Sequence, residues 1–189
     1  MTSKILCYGD SLTYGYGVPD AFVWHQLIKK RFNIEIINCG ANGAMLTGMK
    51  LRLDNQVISK EKDAVLFMGG TNDLISGRLP EDVKNDIGDI FKKIIDDQPN
   101  SVLIIPPPAI VEMAQKSWDS MGEYEQLNQS LKMIGSYFAD VYEGQVISMY
   151  QAFMDLEEKH RLSLFSDGVH LNEQGHCFFA EIIIAHSNF

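Results

Sequence analysis

A chain of 189 residues that is 46% hydrophobic, 10% aromatic and 22% charged has the composition of an ordinary globular domain spanning 1–189, which excludes a disordered, collagenous or coiled-coil protein. Its 16 Lys and Arg against 25 Asp and Glu leave a formal charge of −9 with no basic stretch to neutralise phosphates, so nucleic acid is excluded as a partner and neutral substrates fit better than anionic ones. No run approaches the roughly 18 apolar residues of a membrane-crossing helix.

The first nine residues pass straight into a short apolar run and a turn, without the pattern of an export signal. A cytoplasmic location without membrane insertion is therefore expected. Cys7, Cys39 and Cys177 match no metal-binding spacing and are expected to be buried, reduced thiols.

Short apolar runs at residues 5–8, 34–39, 64–68, 102–105 and 146–150 predict five strands. Segments of helical period lie between them, an alternation that points to an α/β fold with a parallel sheet and crossover helices. Residues 22–32 and 44–57 are the first two crossover helices. Val83, Ile87, Ile90, Phe91, Ile94 and Ile95 form one stripe of a third helix, entered at Pro80 and ended by Pro99. Residues 106–120 open with three prolines and lack clear periodicity; Ile110, Val111, Met113 and Trp118 there are candidates for a substrate-facing wall. Tyr124, Leu127, Leu131, Ile134 and Phe138 make a fourth helical face. Phe178, Phe179, Ile182 and Ile183 make a last one.

In an open parallel sheet, ligands sit beyond the carboxyl ends of the strands, so the residues after each run carry the functional information. The first run delivers Gly9, Asp10, Ser11, Leu12 and Thr13, and the second Asn38 through Gly43. The third delivers Gly70, Thr71, Asn72 and Asp73, and the last helix is preceded by Asp167, Gly168, Val169 and His170. A serine hydroxyl becomes a nucleophile when an imidazole takes its proton, and the imidazole works best when a carboxylate fixes its tautomer. Ser11, His170 and Asp167 supply those three groups. Negative charge on an attacked carbonyl needs donors already in place. The backbone N–H of Ser11, the N–H of Gly43 at the opening of the second helix, and the side-chain amide of Asn72 at the end of the third strand are the candidates. Asp10 is expected to shape the turn around Ser11.

These four blocks resemble, in order and spacing over nearly the whole chain, those of the SGNH hydrolase superfamily, also called GDSL esterases and lipases. The resemblance implies a flavodoxin-like three-layer αβα sandwich with a five-stranded parallel sheet. It places the nucleophile on Ser11, oxyanion-hole donors on Gly43 and Asn72, and the acid and base on Asp167 and His170. It implies an acyl hydrolase acting through an acyl-enzyme on a small-molecule ester, with no cofactor and no metal. Small neutral esters, including O-acetylated carbohydrate or aryl esters, are the expected substrates; thioesters and lysophospholipids are the alternative within the family. Tyr14, Tyr16, Pro107, Ile110 and Val169 are candidate substrate-binding residues. Two other readings are a metal-dependent phosphoesterase using Asp10, Asp73, Asp167 and His170, and a binding module without turnover.

Overall fold

The computed structural model describes residues 3–186. In chain order, β1 (Lys4–Gly9) leads into α1 (Ser11–Tyr14), a single turn of 3-10 helix at Asp20–Phe22, and α2 (Trp24–Phe32). Next come β2 (Glu35–Gly40), α3 (Leu46–Leu53) with a π-helical extension at Asp54–Ile58, β3 (Ala64–Met68), α4 (Thr71–Ile75) and α5 (Pro80–Asp97). The remainder is β4 (Val102–Ile105), α6 (Val111–Ser117), α7 (Tyr124–Val141), β5 (Val146–Ser148), α8 (Met149–Met154), α9 (Glu158–Ser163) and α10 (Glu173–His186).

The five strands form one parallel sheet in the order β2-β1-β3-β4-β5. This is the flavodoxin-like doubly wound arrangement, in which the chain order reverses beside β1. Alternate strand residues enter opposite cores, because successive side chains on a strand point to opposite faces. Leu6, Tyr8, Val65, Phe67, Leu103 and Ile105 pack with α3, α5 and α7. Ile5, Cys7, Leu66, Met68, Ile104 and Ile147 pack with α2, α8 and α10. Helices therefore cover both faces, and the three-layer sandwich follows from central strands, β3 and β4, that are apolar at every position.

The long helices form where their stripes predict. Pro80 sits at the first helical position of α5, where its missing N–H costs nothing, and Val83, Ile87, Ile90, Phe91 and Ile94 are buried. The stripe of α7 is buried from Tyr124 to Phe138. Several boundaries differ from expectation. The fifth apolar run is a strand only over Val146–Ser148, because Ser148 accepts the N–H of Gln151 through its side chain and starts α8 at Met149. Residues 106–120 contain a helix, α6, too short for a periodic stripe to register. The first crossover helix begins at Trp24 rather than residue 22. The cysteines divide: Cys7 is buried, Cys39 half-buried and Cys177 exposed on α10, and all three are free thiols. No helix among the described residues is long and apolar enough to cross a membrane.

Candidate active site

Three strand ends converge at the reversal point. β1 gives way directly to α1, where Asp10 caps the helix by accepting the Leu12 N–H on Oδ1 at 2.9 Å. Ser11 is thereby fixed as the first helical residue, 7% exposed, with a backbone N–H that has no acceptor within the helix. Burial pushes the Asp10 carboxyl up to about 6, against the pull of the Leu12 N–H and the His170 charge.

The imidazole arrives from the other end of the chain. Asp167 uses one oxygen, Oδ1, to accept the N–H groups of Val169 (2.9 Å) and His170 (2.7 Å). That folds residues 167–170 into a turn in which the other oxygen, Oδ2, lies 2.8 Å from His170 Nδ1. The backbone of this turn is pinned. The Ile110 N–H donates to Gly168 O at 2.7 Å, and Ser166 donates to His170 O from its N–H at 2.9 Å and its hydroxyl at 3.0 Å. Asn172 Oδ1 accepts the Gly175 N–H at the entrance of α10.

With the carboxylate at Nδ1, the ring keeps its proton there and presents Nε2 as an acceptor. Ser11 Oγ stands 2.9 Å from it. Burial works to lift the Asp167 carboxyl, but hydrogen bonds from the His170 ring and from the His170 and Val169 N–H groups outweigh it and hold Asp167 below the usual carboxylate range.

A cavity of about 380 Å³ opens on the hydroxyl, lined by Ser11, Tyr16, Asn42, Gly43, Thr71, Asn72, Ile75, Trp118, Tyr124, Val169 and His170. Gly43 lies in a turn three residues before α3, so it does not open the helix as expected. Nothing stands within 4 Å of the place a Cβ would occupy there, so an acyl group has room to approach the backbone. Asn72 lies one residue inside α4 rather than at the end of the strand. Its Nδ2 donates to Ala44 O at 3.0 Å, which uses one of its two hydrogens and orients the other.

Of the remaining candidates, Tyr16, Trp118 and Val169 line this cavity, whereas Tyr14, Pro107 and Ile110 do not. Tyr14 is half exposed, Pro107 is buried, and Ile110 faces a separate groove with Val111 and Met113. The Tyr16 ring centroid is 4.5 Å from the His170 ring and that of Trp118 is 5.4 Å away. Asn42, Thr71, Ile75 and Tyr124 were not singled out by sequence reasoning. Asn42 and Thr71 sit inside the motif blocks, while Tyr124 reads as the first residue of a core stripe whose end abuts the cavity.

The four groups of the phosphoesterase reading do not converge as metal ligands. The Asp73 carboxylate is taken up by Arg78 and by the Leu46 N–H, and no group of three His, Cys, Asp or Glu side chains among the described residues is arranged to hold a metal ion.

Solved structures of similar shape include GDSL lipolytic proteins and an acylhydrolase. A lipase/acylhydrolase from Enterococcus faecalis superposes with a TM-score of 0.82 at 21% identity, over 97% of this chain and 94% of that one. A G-D-S-L lipolytic protein from Veillonella parvula gives 0.79 at 22% identity, over 97% of each. The acetyl xylan esterase AlAXEase gives 0.77 at 22% identity, over 96% of this chain and 98% of that one. No curated protein matches the sequence. The model of the GDSL-like lipase/acylhydrolase family matches residues 7–177. The chain belongs to this family and is a carboxylic ester hydrolase.

Proposed function

We propose that the protein is a serine esterase that hydrolyses small neutral carboxylic esters through an acyl-enzyme on Ser11. The observation that carries this reading is the unbroken hydrogen-bonded line from Ser11 Oγ through His170 to Asp167, 2.9 and 2.8 Å per step, at the floor of a largely apolar cavity. His170 Nε2 takes the hydroxyl proton as Ser11 Oγ attacks the acyl carbon, and Asp167 steadies the resulting imidazolium. The N–H groups of Ser11 and Gly43 and the free amide hydrogen of Asn72 receive the oxyanion. The imidazolium then gives its proton to the departing alkoxide. Water, deprotonated by the same nitrogen, attacks the acyl-enzyme and releases the acid and the serine.

The site also suggests where each half of the ester lies. The leaving oxygen must reach His170 Nε2, so the alcohol belongs on the His170 side, under the rings of Tyr16 and Trp118. Flat apolar faces, such as an aryl ring or the C–H face of a sugar, suit those rings. Acetylated carbohydrate is the substrate of the related acetyl xylan esterase, as its name states, and acetylated glycosides accordingly head the substrates to be tried. Trp118→Ala is expected to lower kcat/KM for phenyl acetate or an acetylated glycoside by roughly 3- to 10-fold while leaving ethyl acetate unchanged. Equal losses on all three would place Trp118 outside the alcohol subsite.

Active-site titration with a fluorophosphonate, followed by p-nitrophenyl esters of two to sixteen carbons with and without chelator, tests the reading. Stoichiometric labelling, preference for short acyl chains and indifference to chelator are expected. Activity that survives labelling and disappears with chelator would overturn it.

The base is a neutral imidazole, so kcat/KM is expected to fall as the pH is lowered from 8 to 5. Asp167, held below the ordinary carboxylate range, stays ionised over that window and does not contribute to the fall. Asp10, near 6, does gain a proton within it. The fall should therefore persist in Asp10→Asn, and a flat profile in that variant would transfer the ionisation from the imidazole to Asp10.

A further inference from the structure

The two residues that follow Thr71 grip the exit of the turn that presents Gly43. Asn72 Nδ2 donates to Ala44 O at 3.0 Å, and the Leu46 N–H donates to Asp73 Oδ2 at 3.0 Å. Asp73 is fully buried, and its second oxygen is met by Arg78, whose Nη1 donates to Oδ1 at 2.6 Å. The Arg78 backbone N–H also donates to the main-chain carbonyl of Asp73 at 3.1 Å, closing the loop between α4 and α5 back onto α4. The other arm of the guanidinium, Nη2, donates to Asp86 Oδ2 on α5 at 2.7 Å. Lys50 on α3 donates to the remaining oxygen of Asp86 and to Asp89. The bonds therefore run from α3 through Asp73, Arg78 and Asp86 and back to α3.

Two consequences follow from this ring. A guanidinium is planar and rigid, so a carboxylate held at each arm has little freedom to slide. The Gly43 turn and Asn72 are thus referred to the same rigid body, although they come from different strand ends. In addition, Asp73 adjoins Asn72, so an uncompensated Asp73 anion would oppose negative charge developing at the oxyanion, and Arg78 cancels it.

We propose that Asp73 and Arg78 are positioning residues of the hydrolytic site: the ion pair of buried Asp73 with the partly exposed Arg78, anchored on Asp86, sets the separation between the Gly43 N–H and the Asn72 amide. This inference rests on the reading of Gly43 and Asn72 as oxyanion donors. A pair that merely fastened α4 to α5 would affect stability and leave the turnover of each folded active site unchanged.

The test is a double-mutant cycle. Arg78→Gln and Asp86→Asn are each made alone and together with Asn72→Ala, and kcat and KM for p-nitrophenyl acetate are measured per fluorophosphonate-titrated site. Asn72→Ala alone is expected to lower kcat by about 100- to 1,000-fold. Arg78→Gln alone is expected to lower kcat roughly tenfold with KM within about twofold, because a misplaced donor is felt only in the transition state. Combined with Asn72→Ala, its cost should shrink to about threefold or less, since one of the donors it places is already gone. Asp86→Asn, at the half-buried far end, should show the same pattern with a fall of about threefold, and it carries the comparison if Arg78→Gln fails to fold. An unchanged kcat per site, or equal costs with and without Asn72→Ala, overturns the positioning role alone. An unchanged kcat in Asn72→Ala itself overturns the oxyanion reading, and this inference with it.

Discussion

Ser11→Ala is expected to lower esterase kcat by about a millionfold, the scale of loss when the nucleophile of a serine, histidine and carboxylate set is removed. The size follows from the connectivity of the site. His170 Nε2 has Ser11 Oγ as its partner at 2.9 Å, and without that hydroxyl there is neither a proton for the imidazole to take nor a nucleophile to carry the acyl group. Any residual rate would come from water held near the oxyanion donors. The imidazole keeps its carboxylate and its two aromatic neighbours, so the fold should be little disturbed and Tm should move by no more than about 3 °C. Turnover of p-nitrophenyl acetate, fluorophosphonate labelling and a thermal melt on the same sample decide the matter. Undiminished turnover with a normal melt would dismiss Ser11 as the nucleophile.

Gly168→Ala should damage both activity and stability, although Gly168 supplies no side chain to the reaction. Its φ of +89° is a conformation that costs an L residue roughly 1–2 kcal/mol. A Cβ there would lie 2.3 Å from the Ala114 N and 2.8 Å from the Ile110 O, both backbone atoms of the segment entering and forming α6. Backbone cannot rotate out of the way as a side chain can, so either the turn or α6 must move. The turn carries Asp167 on one side and His170 on the other, and a displacement of about 1 Å at a proton-transfer distance costs on the order of 100-fold in rate.

Adding the lost Ile110 N–H to Gly168 O bond, we expect a destabilisation of about 3 kcal/mol and a Tm lower by roughly 6–12 °C. Gly144→Ala provides the control. It too has a positive φ, +78°, but meets nothing within 4 Å, so it should show the conformational cost alone and an unchanged kcat. Equal losses in the two variants would mean that the contact with α6 does not position the turn.

Both expectations bear on how much of this protein can be read before it folds. Leu66, Phe67 and Met68, or Val83, Ile87 and Ile94, declare themselves because a strand buried on both faces leaves an unbroken apolar run, and a buried helix stripe leaves a repeat of fixed period. The sheet, the long crossover helices and the polar residues at the strand ends are local in this sense. Short elements leave no such trace: α6 spans seven residues and β5 three, and their ends are set by caps and packing rather than by period. The cysteines follow the same division, since Cys7 lies in an apolar strand whereas Cys177 occupies the solvent side of α10.

The amino-acid sequence by itself determined the succession of the five strands and the long helices, the α/β class and the four blocks that carry Ser11, Gly43, Asn72, Asp167 and His170. Only the tertiary structure decided that Ser11 and His170, 159 positions apart, stand within a hydrogen bond of each other. It alone decided that Tyr16, Trp118 and Tyr124 wall the cavity while Tyr14, Pro107 and Ile110 do not, and that Arg78 joins Asp73 to Asp86. The physical reason is that periodicity records which face of an element is apolar, whereas contact between distant segments depends on how the layers dock. Docking is set by the summed shape of many side chains and is written in no single stretch of the chain.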